Sequence, residues 1–235
     1  MAESQPTITQ EEYRTLSSQL SVSPSSYTKP IRIYMDVDGV IKPTVRSKEE
    51  LGERFPHSVE LDVLPPYTWH DPLTLSRGLF WWDKEVIERL AILSRSPHID
   101  FVWLTDWRVS APHALDSILG IKSVGYLDWE RKFSDYSQTF KRVAIREEQE
   151  ESPSKFIWVD DRANQPRGDA PHVFAYDNDD YEWEFDDEGE PIGDTSEAYY
   201  DEIPASQYLN VITDENEGLT LADIILIEEW VKNNI

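Results

Sequence analysis

The stretch IRIYMDVDGVI, residues 31–41, decides how this chain folds. Its first five residues, Ile31 to Met35, are largely apolar and partly β-branched, the composition of a buried strand. Two carboxylates follow, Asp36 and Asp38, and then Gly39. Side chains two residues apart lie on the same side of an extended chain, so both carboxylates face one space at the strand's C-terminal end. Gly39 lets the chain turn sharply just beyond them. Like charges this close repel, so the pair needs a cation, a shared proton or solvent. In open α/β sheets the carboxyl end of the strands is also where ligands bind. On this segment alone, an acidic strand-to-loop turn with Asp as turn former reads the same way.

Working outward, 235 residues suffice for one sizeable core or for one domain with embellishments. A hydrophobic content of 39% and nine Trp argue for a folded globule. No apolar run approaches the roughly 20 residues that span a bilayer. The N-terminal MAESQPTITQEEY lacks the basic and apolar regions of a secretory signal. The absence of cysteine excludes disulfides and thiolate metal sites and fits a cytoplasmic location. The net charge of −24 repels phosphate backbones and disfavours generic nucleic-acid binding. Much of that charge lies at about 177–203, where DNDDYEWEFDDEGEPIGDTSEAYYDE places only aromatic and small residues between acids. Such a run reads as a solvated excursion; its functional alternatives are a docking surface for a basic protein partner or a mimic of nucleic-acid charge.

Residues 1–29, rich in Ser, Thr, Gln and Pro, read as a flexible, peripheral arm with one short helix from Thr9 to Leu20. Residues 30–235 form the main domain. Five prolines between 42 and 76 leave room for little more than a flap over the sheet end, with a strand at 58–64. RGLFWW (77–82) reads as extended, and Asp83 caps a helix over KEVIERLAILSRS. IDFVWLTDWR (99–108) is a strand ending in Thr105 and Asp106, followed by a helix over 111–119 that stops at Gly120. A helix over 134–151 carries Lys141 near the start of its clearest apolar stripe. KFIWVDDR (155–162) is a strand ending in Asp160 and Asp161, HVFAYD (172–177) a further strand, and 220–231 a closing amphipathic helix. Strands alternating with helices at this spacing predict a three-layer α/β/α parallel sheet.

Three predicted strands therefore end in polar groups: Asp36 and Asp38, Thr105, and Asp160 and Asp161. In a parallel sheet those ends share one edge, gathering about four carboxylates around one crevice, which calls for a hard cation. Mg²⁺ is the expected one, held by carboxylates together with substrate phosphate and water. A carboxylate there can attack phosphorus to give an aspartyl phosphate, and the nearby Asp38 can act as general acid and base. No histidine shows ligand spacing such as HExxH, and no Ser/His/Asp set stands out.

This ordered pattern resembles the haloacid dehalogenase (HAD) superfamily. DVDGV at 36–40 matches its first motif, FVWLT ending at Thr105 its second, and FIWVDD ending at Asp160 and Asp161 its fourth, in order across roughly residues 30 to 177. The resemblance implies a Rossmannoid fold, capless or with a small flap, and a phosphatase with Asp36 as nucleophile and Asp38 as general acid/base. It implies Thr105 as a phosphate hydrogen-bonder, and Mg²⁺ held by Asp36, the Asp38 carbonyl and Asp160 or Asp161. The third motif is a lysine that neutralises phosphate; Lys141 fits best by position, with Lys132 and Lys155 as alternatives. Asp106, Arg108 and Arg162, with Arg167, are candidates for substrate contact; ion pairing within an acidic protein is the other reading of the arginines. RGLFWW, WLTDWR, FIWVDDR and the C-terminal GLTLADIILIEEWV are similar to the small HAD domains linked to predicted RNA-repair systems. The DVDG and VDDR pair is similar, more distantly, to the phosphatase half of polynucleotide kinase-phosphatases. A phosphorylated substrate is thus expected. The overall acidity departs from what a polynucleotide 3′ or 5′ end demands, and an acidic HAD-fold binding or decoy protein is the rival of another class.

Overall fold

The computed structural model describes residues 10–45, 48–55, 58–60, 79–128, 137–162 and 203–235. In chain order its elements are α1 (Gln10–Leu20), β1 (Ile31–Met35), α2 (Lys48–Arg54), β2 (Ser58–Glu60), β3 (Leu79–Trp81), α3 (Lys84–Ser94), β4 (Ile99–Trp103), a π-helical turn (Ala111–Leu115), α4 (Asp116–Leu119), β5 (Ser123–Tyr126), α5 (Ser137–Glu151), β6 (Lys155–Asp160), β7 (Tyr208–Ile212) and α6 (Leu221–Asn234). The expected strand at 172–177, the acidic stretch, most of the flap, Lys132 and Arg167 lie outside the described residues.

Five strands form one parallel sheet in the order β5-β4-β1-β6-β7. The chain lays β4 and β5 on one side of β1, then crosses back to place β6 and β7 on the other. The crevice between β1 and β6 is therefore the switch point at which ligands enter such sheets. β1 is central, and all five of its residues are buried. Ile31, Ile33 and Met35 join the layer built from α3, α4 and α6; Tyr34, with Phe156 and Trp158 of β6, faces Ala144 and Ile145 of α5. The alternation of a strand thus serves two helical layers, as a three-layer α/β/α fold of HAD type requires. β2 and β3 make a separate antiparallel pair.

Local chemistry sets the helix ends. Asp83 accepts from the Val86 amide at 3.0 Å at the start of α3, and Thr220 and Asp223 form a capping box at the start of α6. Gly120, at φ 66°, ends α4 in the left-handed region. The expected single helix over 111–119 is instead a π turn running into one α turn. Two strands escape the sequence reading, β5 and β7, because SVGY and YLNVI are short and carry weak alternation.

The stretch read as an arm meets the sheet and its core from Leu16 onward. Ser21 bridges Tyr126, and the Val22 amide donates to the Tyr126 carbonyl at 2.9 Å. A Cβ at Gly125 would fall 2.1 Å from the Leu20 carbonyl oxygen, so only glycine admits this approach. The buried Asp100 then accepts from the amides of Thr28 and Lys29 at 2.7 and 2.9 Å. Among the described residues no helix is long and apolar enough to cross a membrane.

Candidate active site

The loop leaving β1 is closed on itself. The Lys42 amide donates to the Val37 carbonyl at 2.9 Å and the Gly39 amide to the Lys42 carbonyl at 2.9 Å. Thr213, just past β7, donates its hydroxyl to the Gly39 carbonyl at 2.8 Å. Gly39 sits at φ 73°, and a Cβ there would lie 2.8 Å from Asp161 Cγ. Conformation and space both demand glycine. The turn thereby brings the ends of β1 and β6 together.

Between them lies an ion-pair cluster. Lys141, from the first turns of α5, donates to Asp36 Oδ2 at 2.6 Å and to Asp160 Oδ2 at 2.8 Å. All three side chains are buried, at 3%, 8% and 0% exposure. The remaining oxygens are also held: Asp36 Oδ1 accepts from the Val37 amide at 2.7 Å, and Asp160 Oδ1 from the Arg162 amide at 2.9 Å. Burial pushes the Asp36 carboxyl up to about 8; Lys141 opposes this and the Asp160 charge adds to it. Burial works to strip Lys141 of its proton, yet Asp36 and Asp160 outweigh it and hold the ammonium above the usual lysine range. Asp161 is raised too, by burial and by Asp160. All three shifts favour bound protons, so the cluster is short of positive charge.

The donor geometry points the same way. One carboxylate oxygen each from Asp36, Asp160 and Asp161 lies within 4.8 Å of the others. A hard, all-oxygen donor set with one lysine for three buried or half-buried acids fits a divalent cation such as Mg²⁺. The Asp38 carboxylate is not in this set.

Asp38 points elsewhere, 60% exposed. Its Oδ2 accepts from the Trp107 indole N–H at 2.7 Å, and its Oδ1 lies 3.5 Å from Lys42 Nζ. Lys42 in turn sits 4.8 Å above the Trp81 ring. Thr105 is buried just past β4 and accepts from the Trp107 amide at 3.3 Å. Thr105, Asp36 and Asp160 therefore follow or end three adjacent strands, β4, β1 and β6, on one sheet edge.

The other expected residues are placed less centrally. Asp106 is exposed. Arg108, at φ 47°, pairs with Asp128, and Arg162 lies 3.4 Å from Asp161. Lys155 opens β6 at the opposite edge and donates to the Asn234 carbonyl at 3.3 Å, so it cannot serve this cluster. Of the lysines among the described residues, Lys141 is the one in place. Trp107 and Lys42 were not anticipated. Lys42 stands four residues after Asp38, a spacing that signals contact only on a helix, and Trp107 reads from sequence as one more core aromatic.

A parallel sheet with acids on β1 and β6, a hydroxyl beyond β4 and a lysine on the intervening helix defines a HAD-type domain. The family described as "HAD domain in Swiss Army Knife RNA repair proteins" matches residues 32–180, more than half of the chain, and the chain belongs to that family. The matched span holds Asp36, Asp38, Thr105, Lys141, Asp160 and Asp161. Membership supports a phosphatase-like, hydrolytic activity. Neither the curated proteins nor the solved structures yield a match.

Proposed function

We propose that this domain is a Mg²⁺-dependent phosphomonoester hydrolase that works through an aspartyl phosphate on Asp36. The observation that carries the reading is Lys141 paired at once with Asp36 and Asp160, with Asp161 completing the acidic cluster. Lys141 favours the ionised, nucleophilic form of Asp36 and offers its ammonium to the incoming phosphoryl group. Asp36, Asp160 and Asp161, with the Asp38 carbonyl, would hold Mg²⁺. Bound there, it would supply charge neutralisation and orientation for the phosphoryl oxygens.

An Asp36 carboxylate oxygen attacks phosphorus in line with the ester bond, which breaks as the new P–O bond forms. The Thr105 hydroxyl donates to a phosphoryl oxygen. Asp38, exposed beside the cluster, gives its proton to the departing alkoxide. It then takes a proton from a water that attacks the acyl phosphate, returning free Asp36 and inorganic phosphate. Release of phosphate from an aryl phosphate should require Mg²⁺ and vanish with Asp36→Asn. Metal-independent release, or activity retained in that variant, would contradict the reading.

The family description favours a phosphorylated RNA end as substrate. The formal charge of −24 opposes tight binding along a backbone, and Lys42, Arg108 and Arg162 near the site are each paired with an acid. A terminal phosphate engaged mainly by the cluster reconciles the two. Competition of oligonucleotide 3′- and 5′-phosphates against the aryl phosphate tests it: inhibition by a phosphorylated end and not by its hydroxyl counterpart is expected, and equal effects of both would remove it.

A further inference from the structure

A second polar cluster lies beneath the first and takes no part in the chemistry above. Arg32 and Tyr34 of β1 and Asp36, the residue just past it, alternate along the chain and share one face. Opposite them, α5 turns Lys141, Ala144, Ile145, Glu148 and Gln149 inward, all buried. This is helical spacing, but among the described side chains of that stripe only Ala144 and Ile145 are apolar.

The polar residues zip the two elements together. Glu148 Oε1 accepts from Arg32 Nη1 at 2.7 Å and from the Tyr34 hydroxyl, while Oε2 accepts from the Tyr27 hydroxyl at 2.5 Å. Arg32 Nη2 donates to Ser152 Oγ at 2.6 Å, and Gln149 Nε2 to the Tyr34 hydroxyl at 3.1 Å. The Arg32 guanidinium lies 3.7 Å above the Tyr27 ring. At the other end of the same two rows, Lys141 meets Asp36 at 2.6 Å.

The spans agree. Lys141 and Glu148 are separated by about 10.5 Å of helix rise, and Arg32 and Asp36 by about 13 Å of strand. A buried ion pair replaceable by apolar residues is weak evidence for stability, and its best-attested use is to fix register. Among the described side chains of this stripe, the apolar contacts of Ala144 and Ile145 are non-directional, whereas hydrogen bonds to both Glu148 oxygens, seven residues from the lysine, fix one axial position. From this geometry we infer that Glu148 is a positioning residue: its bonds to Arg32, Tyr34 and Tyr27 set the axial register of α5 and so place Lys141 Nζ between Asp36 and Asp160. Its consequence for turnover rests on the proposed function; its consequence for Lys141 does not.

The test uses the full chain and two readouts. Acylation of Lys141 by acetic anhydride, mapped by mass spectrometry, reports whether Nζ is sequestered and needs no activity. Phosphate release from an aryl phosphate reports the chemistry. Glu148→Ala is expected to raise Lys141 acylation and lower kcat by about 100-fold, the scale of a 1 Å misplacement. Glu148→Gln keeps the shape and an acceptor oxygen, and should recover most of both. Leu90→Ala, in the opposite core layer, controls for general destabilisation and should leave Lys141 protected. Lys141 as protected in folded Glu148→Ala as in the native chain, or exposed equally by Leu90→Ala, overturns the inference. Should Glu148→Ala fail to fold, Tyr34→Phe and Tyr27→Phe, each of which removes one donor to Glu148, take its place, and unchanged protection in both overturns it. A native chain without turnover would sink the proposed function while the acylation result still decides this one.

Discussion

The Trp107 indole N–H donates to Asp38 Oδ2 at 2.7 Å, and so holds the carboxylate proposed for proton transfer. Lys42 approaches the other oxygen of the same carboxylate. The indole and Lys42 together restrict a carboxylate whose side chain is 60% exposed. Trp107→Phe keeps the ring and removes the donor. We expect kcat to fall about tenfold, part of the 10²–10⁴ that a general acid supplies, with little change in KM. Steady-state kinetics would show it, and an unchanged kcat would free Asp38 of any need for Trp107.

Gly39 faces Asp161 so closely that a methyl group there would press on the Asp161 carboxyl carbon. Gly39→Ala is expected to displace Asp161 and weaken Mg²⁺ binding by about 10–100-fold, the usual cost of disturbing what supports a ligand. Calorimetric titration with Mg²⁺ measures this directly. Native affinity in the variant would remove Asp161 from the metal site.

Lys141 is the cation shared by the buried Asp36 and Asp160, while Asp161 has Arg162 beside it. Lys141→Met removes one partner of a buried ion pair, and should lower metal-free stability by about 3 kcal/mol. Mg²⁺ should then raise the melting temperature of the variant by more than it raises that of the native chain, since the ion replaces the lost charge. Equal shifts in the two proteins would mean that Lys141 and the metal do not share ligands.

The pH dependence follows from the direction of the Asp36 shift. With its carboxyl pushed up to about 8 by burial, metal-free Asp36 holds its proton more tightly in the folded than in the unfolded chain. Its contribution to metal-free stability is present at low pH and is lost as pH rises through that value. Mg²⁺ requires the carboxylate, so binding releases protons and its affinity should rise from about pH 6 to about pH 8. Titrations in buffers of different ionisation enthalpy count the protons; no release near neutral pH would contradict the shift.

Much of the sheet was legible because its three central strands are strong signals. IRIYM, IDFVW and FIWV are buried runs with the site's polar residues following them, and each lies in a strand at the expected place. The edge strands β5 and β7 were not read, because they lean on one neighbour and need less apolar sequence to persist. The attachment of residues 16–29 was hidden for a related reason. It depends on main-chain bonds to Tyr126 and on the buried Asp100, and neither leaves a pattern in the arm itself. The acids of the site were legible as strand termini. Trp107 and Glu148 were not, since their meaning lies in partners 69 and 116 positions away.

The proposed chemistry stands or falls on phosphorylation of Asp36. Mixing the native chain with a phosphorylated substrate and Mg²⁺, quenching in acid within the first turnover and mapping the peptides would test it most directly. A phosphoryl group is expected on the peptide carrying Asp36, acid-stable, labile to hydroxylamine, and absent from Asp36→Asn. Phosphate release with no phosphoryl group on that peptide, or with one on another residue, would contradict it.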